Sequence, residues 1–195
     1  MALPSVQTRS GAGPSDAALV VAARAQERWA QEALFRRHAA MVNGLAYRLV
    51  GRDADLDDLV QDCFAEAWRS LGRLAEPAAF STWLGSIVVR TAHKLIRRRR
   101  LLSRLGLGAG CRVDLDELVS PAAPADVRAE LRSIYAVVES LPAATRVAFV
   151  LRRIEGLALE EIATLTGASL ATVKRRIADG ERRIAAATGG AEEPS

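Results

Sequence analysis

Apolar residues recur along this chain at three- and four-residue intervals, and nowhere over a useful length do they alternate with polar ones, so the pattern predicts helices and no sheet. The cleanest run is Leu56, Leu59, Val60, Cys63, Phe64, Ala67, Trp68 and Leu71, which keeps one helical face apolar for about four turns. Upstream, Ser15 and Asp16 can cap a helix ending near Arg24, and Leu34, His38, Val42, Leu45 and Leu49 line one side of a second from about Arg28 to Val50, which Gly51 stops. After a loop at residues 72–79, a fourth helix begins near Phe80 with Trp83, Leu84, Ile87, Thr91 and Leu95 inward. It runs into four consecutive arginines, Arg97 to Arg100.

The periodicity then lapses. Residues 103–125 hold "GLGAG" and "SPAAP" and read as a flexible linker. Beyond it, a helix is expected from about Asp126 to Ser140, and another opening at Pro142 with Val147, Val150, Leu151 and Ile154 inward before Gly156 ends it. "LEEIATLTGASLATVKRRI", residues 159–177, follows as a helix-turn-helix. Leu159, Ile162, Ala163 and Leu165 give its first helix an apolar face, and Gly167 permits the turn. Ser169 caps the second helix, whose buried stripe is Leu170, Val173 and Ile177. Residues 1–14 and 188–195 are expected to be disordered. The fold class is therefore all-α: two small helical domains, 15–102 and 126–187, joined by the linker 103–125, the C-terminal one containing the helix-turn-helix.

With 50% hydrophobic and 26% charged residues, the 195-residue chain has the composition of a folded soluble protein. It shows no membrane-length apolar run and no secretory leader, so a cytoplasmic location without membrane attachment is expected. Two cysteines and two histidines make neither a disulfide framework nor a metal site, and no cofactor is expected. Cys63 falls on the apolar stripe and reads as core.

Charge changes the picture. From Asp53 to Glu66 there are six acids and no Lys or Arg, while from His93 to Arg112 there are seven bases and no acid. One chain thus offers a negative and a positive surface, a pattern that suggests two different partners. The acids Asp57, Asp58, Asp62 and Glu66, with Gln61, lie opposite the apolar stripe. A carboxylate density of that kind costs self-repulsion unless a cationic partner or solvent relieves it.

In order, "DLDDLVQDCFAEAW", "FSTWLGSIVVRTAHKLIRRRR" and "LPAATRVAFVLRRIEGLALEEIATLTGASLATVKRRI" resemble an extracytoplasmic-function sigma factor of bacterial RNA polymerase over about residues 16–187. The resemblance implies sigma domain two at 15–102 and sigma domain four at 126–187, with no domain three and no N-terminal autoinhibitory region. It implies that Asp58, Gln61 and Asp62, with Asp57 as electrostatic neighbour, meet the clamp helices of the largest core-polymerase subunit. It implies that Trp83 and the loop before it melt the −10 element, with Arg90, Lys94, Arg97 and Arg98 as cations for the melted strand. Trp83 also reads as core, since it sits beside Leu84.

In domain four the resemblance implies that Ser169 and Arg176 hold phosphates of the −35 element, with Thr172, Lys174 and Arg175 nearer to base edges in the major groove. The partners it implies are core polymerase, double-stranded and melted promoter DNA, and an anti-sigma factor. The chain departs from the pattern at several positions. Arg90 stands where the family usually has Asn, Lys94 where it often has Asp, and Leu74 where Phe is common. Ala178 and Asp179 replace larger or basic DNA-facing residues, and Gly180 weakens the helix locally.

Such a protein does no bond chemistry, and an enzyme has little to stand on here, without a nucleophile motif, a phosphate loop or a metal spacing. The alternative is a stand-alone helix-turn-helix transcription regulator, with residues 15–100 as its effector or dimerisation module. A third reading is an adaptor that has lost DNA binding. The acidic face discriminates, because a stand-alone regulator has no need of it.

Overall fold

The computed structural model describes residues 13–51, 55–106 and 124–188. All its regular elements are helical. They are α1 (Asp16–Arg24), α2 (Arg28–Val50), α3 (Asp55–Ser70), two short 3-10 turns (Leu71–Arg73 and Pro77–Ala79), α4 (Phe80–Arg104), α5 (Ala125–Ser140), α6 (Ala143–Arg153), α7 (Leu159–Thr166) and α8 (Leu170–Thr188). The expected disordered ends lie outside the described residues, apart from Gly13, Pro14 and Thr188. The same holds for the expected linker, except at its edges, where Ser103 and Arg104 finish α4 and Ala125 opens α5.

In the N-terminal module, α2, α3 and α4 pack on one another and α1 lies across α2. The expected stripe of α2 is buried at Leu34, His38, Val42, Leu45 and Leu49. On α3, Leu59, Cys63, Phe64 and Ala67 are buried while Leu56, Val60 and Trp68 are half-buried. On α4, Leu84 and Ile87 are buried but Trp83, Thr91 and Leu95 are only half-buried. Val88, Val89, Ala92 and Ile96 are buried off the expected stripe, because α2, α3 and the C-terminal module cover α4 on several sides. Ser15 caps α1 by accepting the Ala18 N–H at 3.2 Å. Asp16 anchors that helix to α2 through Arg37 (2.6 Å) and His38 (2.9 Å). Burial pushes the Cys63 thiol up to about 11, so it packs as an apolar group rather than a nucleophile.

In the C-terminal module, α6, α7 and α8 enclose Val147, Val150, Leu151, Ile162, Val173 and Ile177, and α5 lies against α8. Two stripe assignments fail. Ile154 is 52% exposed, because α6 has already ended at Arg153 and the chain turns outward. Leu170 is 41% exposed, because the first residue of α8 projects beyond the partner helices. Gly180 does not interrupt α8. A Cβ there would stand 3.1 Å from the Phe149 ring, so glycine is what lets α8 approach α6.

The two modules are packed together, and their buried apolar residues form one continuous cluster. The seam sets α7 and α6 against α4, with α6 also touching α2. Leu165 of α7 closes to 3.5 Å of the position a Cβ would take on Gly85 of α4. Arg48 grips Glu155 with two guanidinium nitrogens, Nη2 at 3.0 Å from Oε2, and Arg100 donates to the Leu141 carbonyl.

Candidate nucleic-acid interface

The acidic residues of α3 do not share one outward face. Asp55, Asp58, Asp62 and Glu66 recur on the side turned toward α4 and form one wall of a groove of about 480 Å³, whereas Asp57 and Gln61 are exposed outside it. The other wall carries Arg90, Lys94 and Arg98 of α4, and Arg69 of α3 also lines the groove. The expectation that these carboxylates lack nearby bases is thus corrected: the bases are distant in sequence and adjacent in space. Asp55 is neutralised by Arg99 at 2.9 Å. Asp58 and Asp62 form no ion pair among the described residues.

The arginine run divides by the geometry of α4. Arg99 turns back to Asp55 and to the Val50 carbonyl at 3.4 Å, and Arg100 is spent on the Leu141 carbonyl. Arg97 and Arg98 are exposed, as are Arg90 and Lys94. Lys94, Arg97, Arg98, Arg100 and Arg104 surround a second groove of about 560 Å³ that ends at Pro142 and Ala143. Its lining is strongly cationic, with the exposed Leu101 as an apolar element among the bases. Arg90 also receives a structural contact, donating to the Ser86 hydroxyl at 3.1 Å.

Trp83 is half-buried at one end of an aromatic row. Its ring lies 5.9 Å from Phe80, which stacks on Trp68 at 6.5 Å, and Trp68 in turn meets Phe64 at 5.9 Å. The loop before α4 is built on two buried leucines, Leu71 and Leu74, so the Leu74 side chain is unavailable as an apolar surface for a base. Arg24 was not among the expected residues. It reaches across from α1 to the carbonyls of Leu71 and Leu74. A bond to backbone carbonyls leaves no signature in the loop's side chains, so no motif could have pointed to it.

At the helix-turn-helix, Gly167 takes φ +64°, and α7 starts with the Glu161 carboxylate accepting the Ala158 N–H at 2.7 Å. Ser169 caps α8 as expected, accepting the Thr172 N–H at 3.3 Å while its own hydroxyl donates to Thr172 Oγ1 at 2.9 Å. Lys174 and Arg175 are exposed, while Arg176 is half-buried beside the seam. Asp179 does not project alone toward a ligand. Hydrogen bonds from Arg182 (3.1 Å) and Arg183 (3.2 Å) hold its carboxyl below the usual carboxylate range. Across the seam from Arg176 lies His93. Burial, then the charges of Arg97 and Arg176, push its pKa down. Helices α4 and α8 thus stand close enough for the Arg176 charge of one to act on the His93 ring of the other.

Residues 34–102 match the family described as Sigma-70 region 2, and residues 131–184 match Sigma-70, region 4. The ECF RNA polymerase sigma factor SigM of Mycobacterium tuberculosis is 34% identical over 175 residues, covering 88% of this chain and 83% of the relative. The chain belongs to the ECF sigma factors. SigE of Mycolicibacterium smegmatis is also 34% identical, over 77% of this chain, which spans 58% of that relative's length. The ECF sigma-E factor of Escherichia coli is 31% identical over 84% of this chain and 88% of its own. Among solved structures, CnrH in complex with the cytosolic domain of CnrY superposes with a TM-score of 0.59 at 26% identity, over 92% of this chain and all of that one. RpoE of Bartonella quintana, solved with the anti-sigma factor NepR, shares the fold with a TM-score of 0.60 at 19% identity, over 81% of this chain and 96% of its own.

For this ECF sigma factor, the region 2 match spans α3, the loop and nearly all of α4, and the region 4 match spans the helix-turn-helix. Among the described residues no helix is long and apolar enough to cross a membrane.

Proposed function

We propose that this ECF sigma factor works in the cytoplasm as a non-enzymatic promoter-specificity subunit, bound to core polymerase through Asp57, Asp58, Gln61 and Asp62. The observation that carries this is the α3–α4 groove, which sets Asp58 and Asp62, without an ion pair among the described residues, beside Arg90, Lys94 and Arg98 on one small module. A cationic clamp helix on the α3 wall leaves Arg90, Lys94, Arg97 and Arg98 for the phosphates of the melted −10 strand. Trp83, at the end of its aromatic row, is the stacking surface at the duplex edge. The module bounds are 15–102 and 126–187. An anti-sigma factor is the expected regulator, in keeping with the complexes in which CnrH and the Bartonella RpoE were solved.

On the C-terminal module, α8 enters the −35 major groove. Ser169 and Arg176 take phosphates there, and Thr172, Lys174 and Arg175 reach base edges. The −10 and −35 elements lie about two and a half turns of B-DNA apart, roughly 80 Å. Two modules packed on one helix cannot span that distance, so the seam at α4 parts when a promoter is read.

Run-off transcription with purified core polymerase on genomic promoter fragments tests the reading. Addition of this chain should produce promoter-specific transcripts. Asp58→Ala combined with Asp62→Ala should weaken core binding about tenfold, since charge-assisted contacts to a cationic helix are lost, while binding to −35 duplex is retained. Unchanged core affinity in the double variant would remove the acidic wall from the interface.

A further inference from the structure

We propose that Arg24 is a positioning residue for −10 recognition, holding from α1 the loop that meets the melted base. This rests on the promoter-recognition reading above. Arg24 stands in the last turn of α1, and its Nε donates to the Leu71 carbonyl at 3.3 Å while Nη2 donates to the Leu74 carbonyl. One guanidinium therefore bridges the two carbonyls that bracket Gly72 and Arg73. Both are charge-assisted bonds, and two donors in a fixed plane set orientation as well as distance.

Besides Arg24, the loop is held by the buried side chains of Leu71 and Leu74, by packing of its second 3-10 turn on α1 and α4, and by a few local bonds. Its own backbone bonds are Leu74 N–H to Leu71 (3.2 Å) and Ala79 N–H to Glu76 (3.0 Å), and the Glu76 carboxylate accepts the Ala78 N–H at 3.3 Å. Leu71 and Leu74 are buried, while Gly72, Arg73, Ala75 and Glu76 are exposed. With the Leu74 side chain turned inward, what the loop offers a base is its backbone and the exposed side chains of Arg73, Ala75 and Glu76, all carried on the segment that Arg24 holds. Recognition of that kind depends on where the backbone lies, which is what Arg24 fixes.

The placement of Arg24 is itself enforced. The turn after α1 puts Gln26 at φ +66°, a left-handed conformation unfavourable for a side chain of that size. The Gln26 N–H donates to Ala23 and the Glu27 N–H to Ala22, at 3.1 and 3.2 Å, closing the end of α1 against the loop. At its other end Asp16 ties α1 to Arg37 and His38. Pinned at both ends, α1 acts as a rigid arm, and Arg24 is the contact it delivers.

The test compares holoenzymes carrying wild-type chain, Arg24→Ala or Arg24→Lys on a duplex promoter, on the same promoter with a pre-opened −10 bubble, and on a series of −10 base substitutions. Arg24→Ala should lower duplex transcription about tenfold and flatten discrimination among −10 bases, yet stay within about twofold of wild type on the bubble. Arg24→Lys keeps the charge but loses the planar fork whose Nε and Nη2 fix the two carbonyls in one orientation, and should resemble the Ala variant in discrimination. Hydrogen exchange should accelerate at the Leu74 and Ala79 amides and not along α4. Equal losses on duplex and bubble with −10 discrimination intact would overturn the proposal by making Arg24 merely structural. If Arg24→Ala fails to fold, Arg24→Lys decides, and wild-type discrimination in that variant overturns the proposal. A wild-type chain that directs no promoter-specific transcription overturns the promoter-recognition reading, and the role of Arg24 with it.

Discussion

A single missing methyl sets how α8 lies on α6. At Gly180 an added Cβ would meet Phe149 at Cδ2, Cβ and Cγ, at 3.1, 3.4 and 3.5 Å. These three atoms span the root of the ring, so rotating the phenyl group cannot clear them all. Helix propensity favours alanine over glycine by about 1 kcal/mol, and the sequence alone makes this glycine look like a weak point. Overpacking against a ring root costs about 1–3 kcal/mol and wins. Gly180→Ala should therefore lower the thermal midpoint despite its better propensity, and pairing it with Phe149→Leu should restore most of the loss. A rise in the midpoint of the single variant would show that Phe149 yields freely. The fault in reading Gly180 from sequence is general: propensity is local, whereas its partner lies about thirty residues away.

At the scale of elements, period carries nearly everything that was legible. The stripes of α2 and α3 face inward as spaced because a helix in a small module must hide one face, whereas α4, covered by α2, α3 and the C-terminal module together, also buries Val88, Val89, Ala92 and Ile96 off its expected stripe. The misses fall where the stripe outruns its partner, at Ile154 and Leu170 on helix ends, or where charge was counted along the chain instead of across it, as with Asp58 and Asp62 beside Lys94 and Arg98. For α8 the period also sorts the DNA contacts. Val173 and Ile177 are buried, and successive residues turn by about a hundred degrees, so Arg176 flanks the core while Arg175 and Thr172 lie on the far side. In the structure Arg175 is exposed and Arg176 half-buried, but Thr172 is half-buried as well, so it does not share the open side with Arg175. Arg175→Ala should cost about 1–3 kcal/mol on the preferred −35 sequence and relax discrimination there. Arg176→Ala should weaken all sequences alike and reduce the salt slope by about one unit. Titrating matched and scrambled −35 duplexes at several salt concentrations separates the two, and the reverse pattern would mean that α8 is rotated in the groove.

For the whole molecule, the seam between modules is what the sequence could not disclose. Gly85 and Leu165 are ordinary core-type residues, Arg48 and Glu155 carry no local pattern, and nothing in their spacing says that they meet. The seam also sets the sign of a pH response. His93 on α4 lies between Arg97 of its own helix and Arg176 of α8, and its pKa is pushed down by burial first and by those two charges next. With the modules apart, the Arg176 charge is removed and His93 moves back toward its ordinary value near 6.5. The closed form then binds fewer protons than the open one in that range. Its stability is fully present above about pH 6.5 and declines as pH falls through 6.5 toward the lowered value in the closed form. Acidification from pH 7.5 to 5.5 should therefore shift the chain toward an extended form, read by small-angle scattering as a larger radius of gyration at unchanged helicity. His93→Asn should flatten the response, and Glu155→Arg, which sets like charges on either side of the seam, should extend the chain even at pH 7.5. A radius that shrinks or holds constant in the wild type on acidification would show that His93 does not sense the seam.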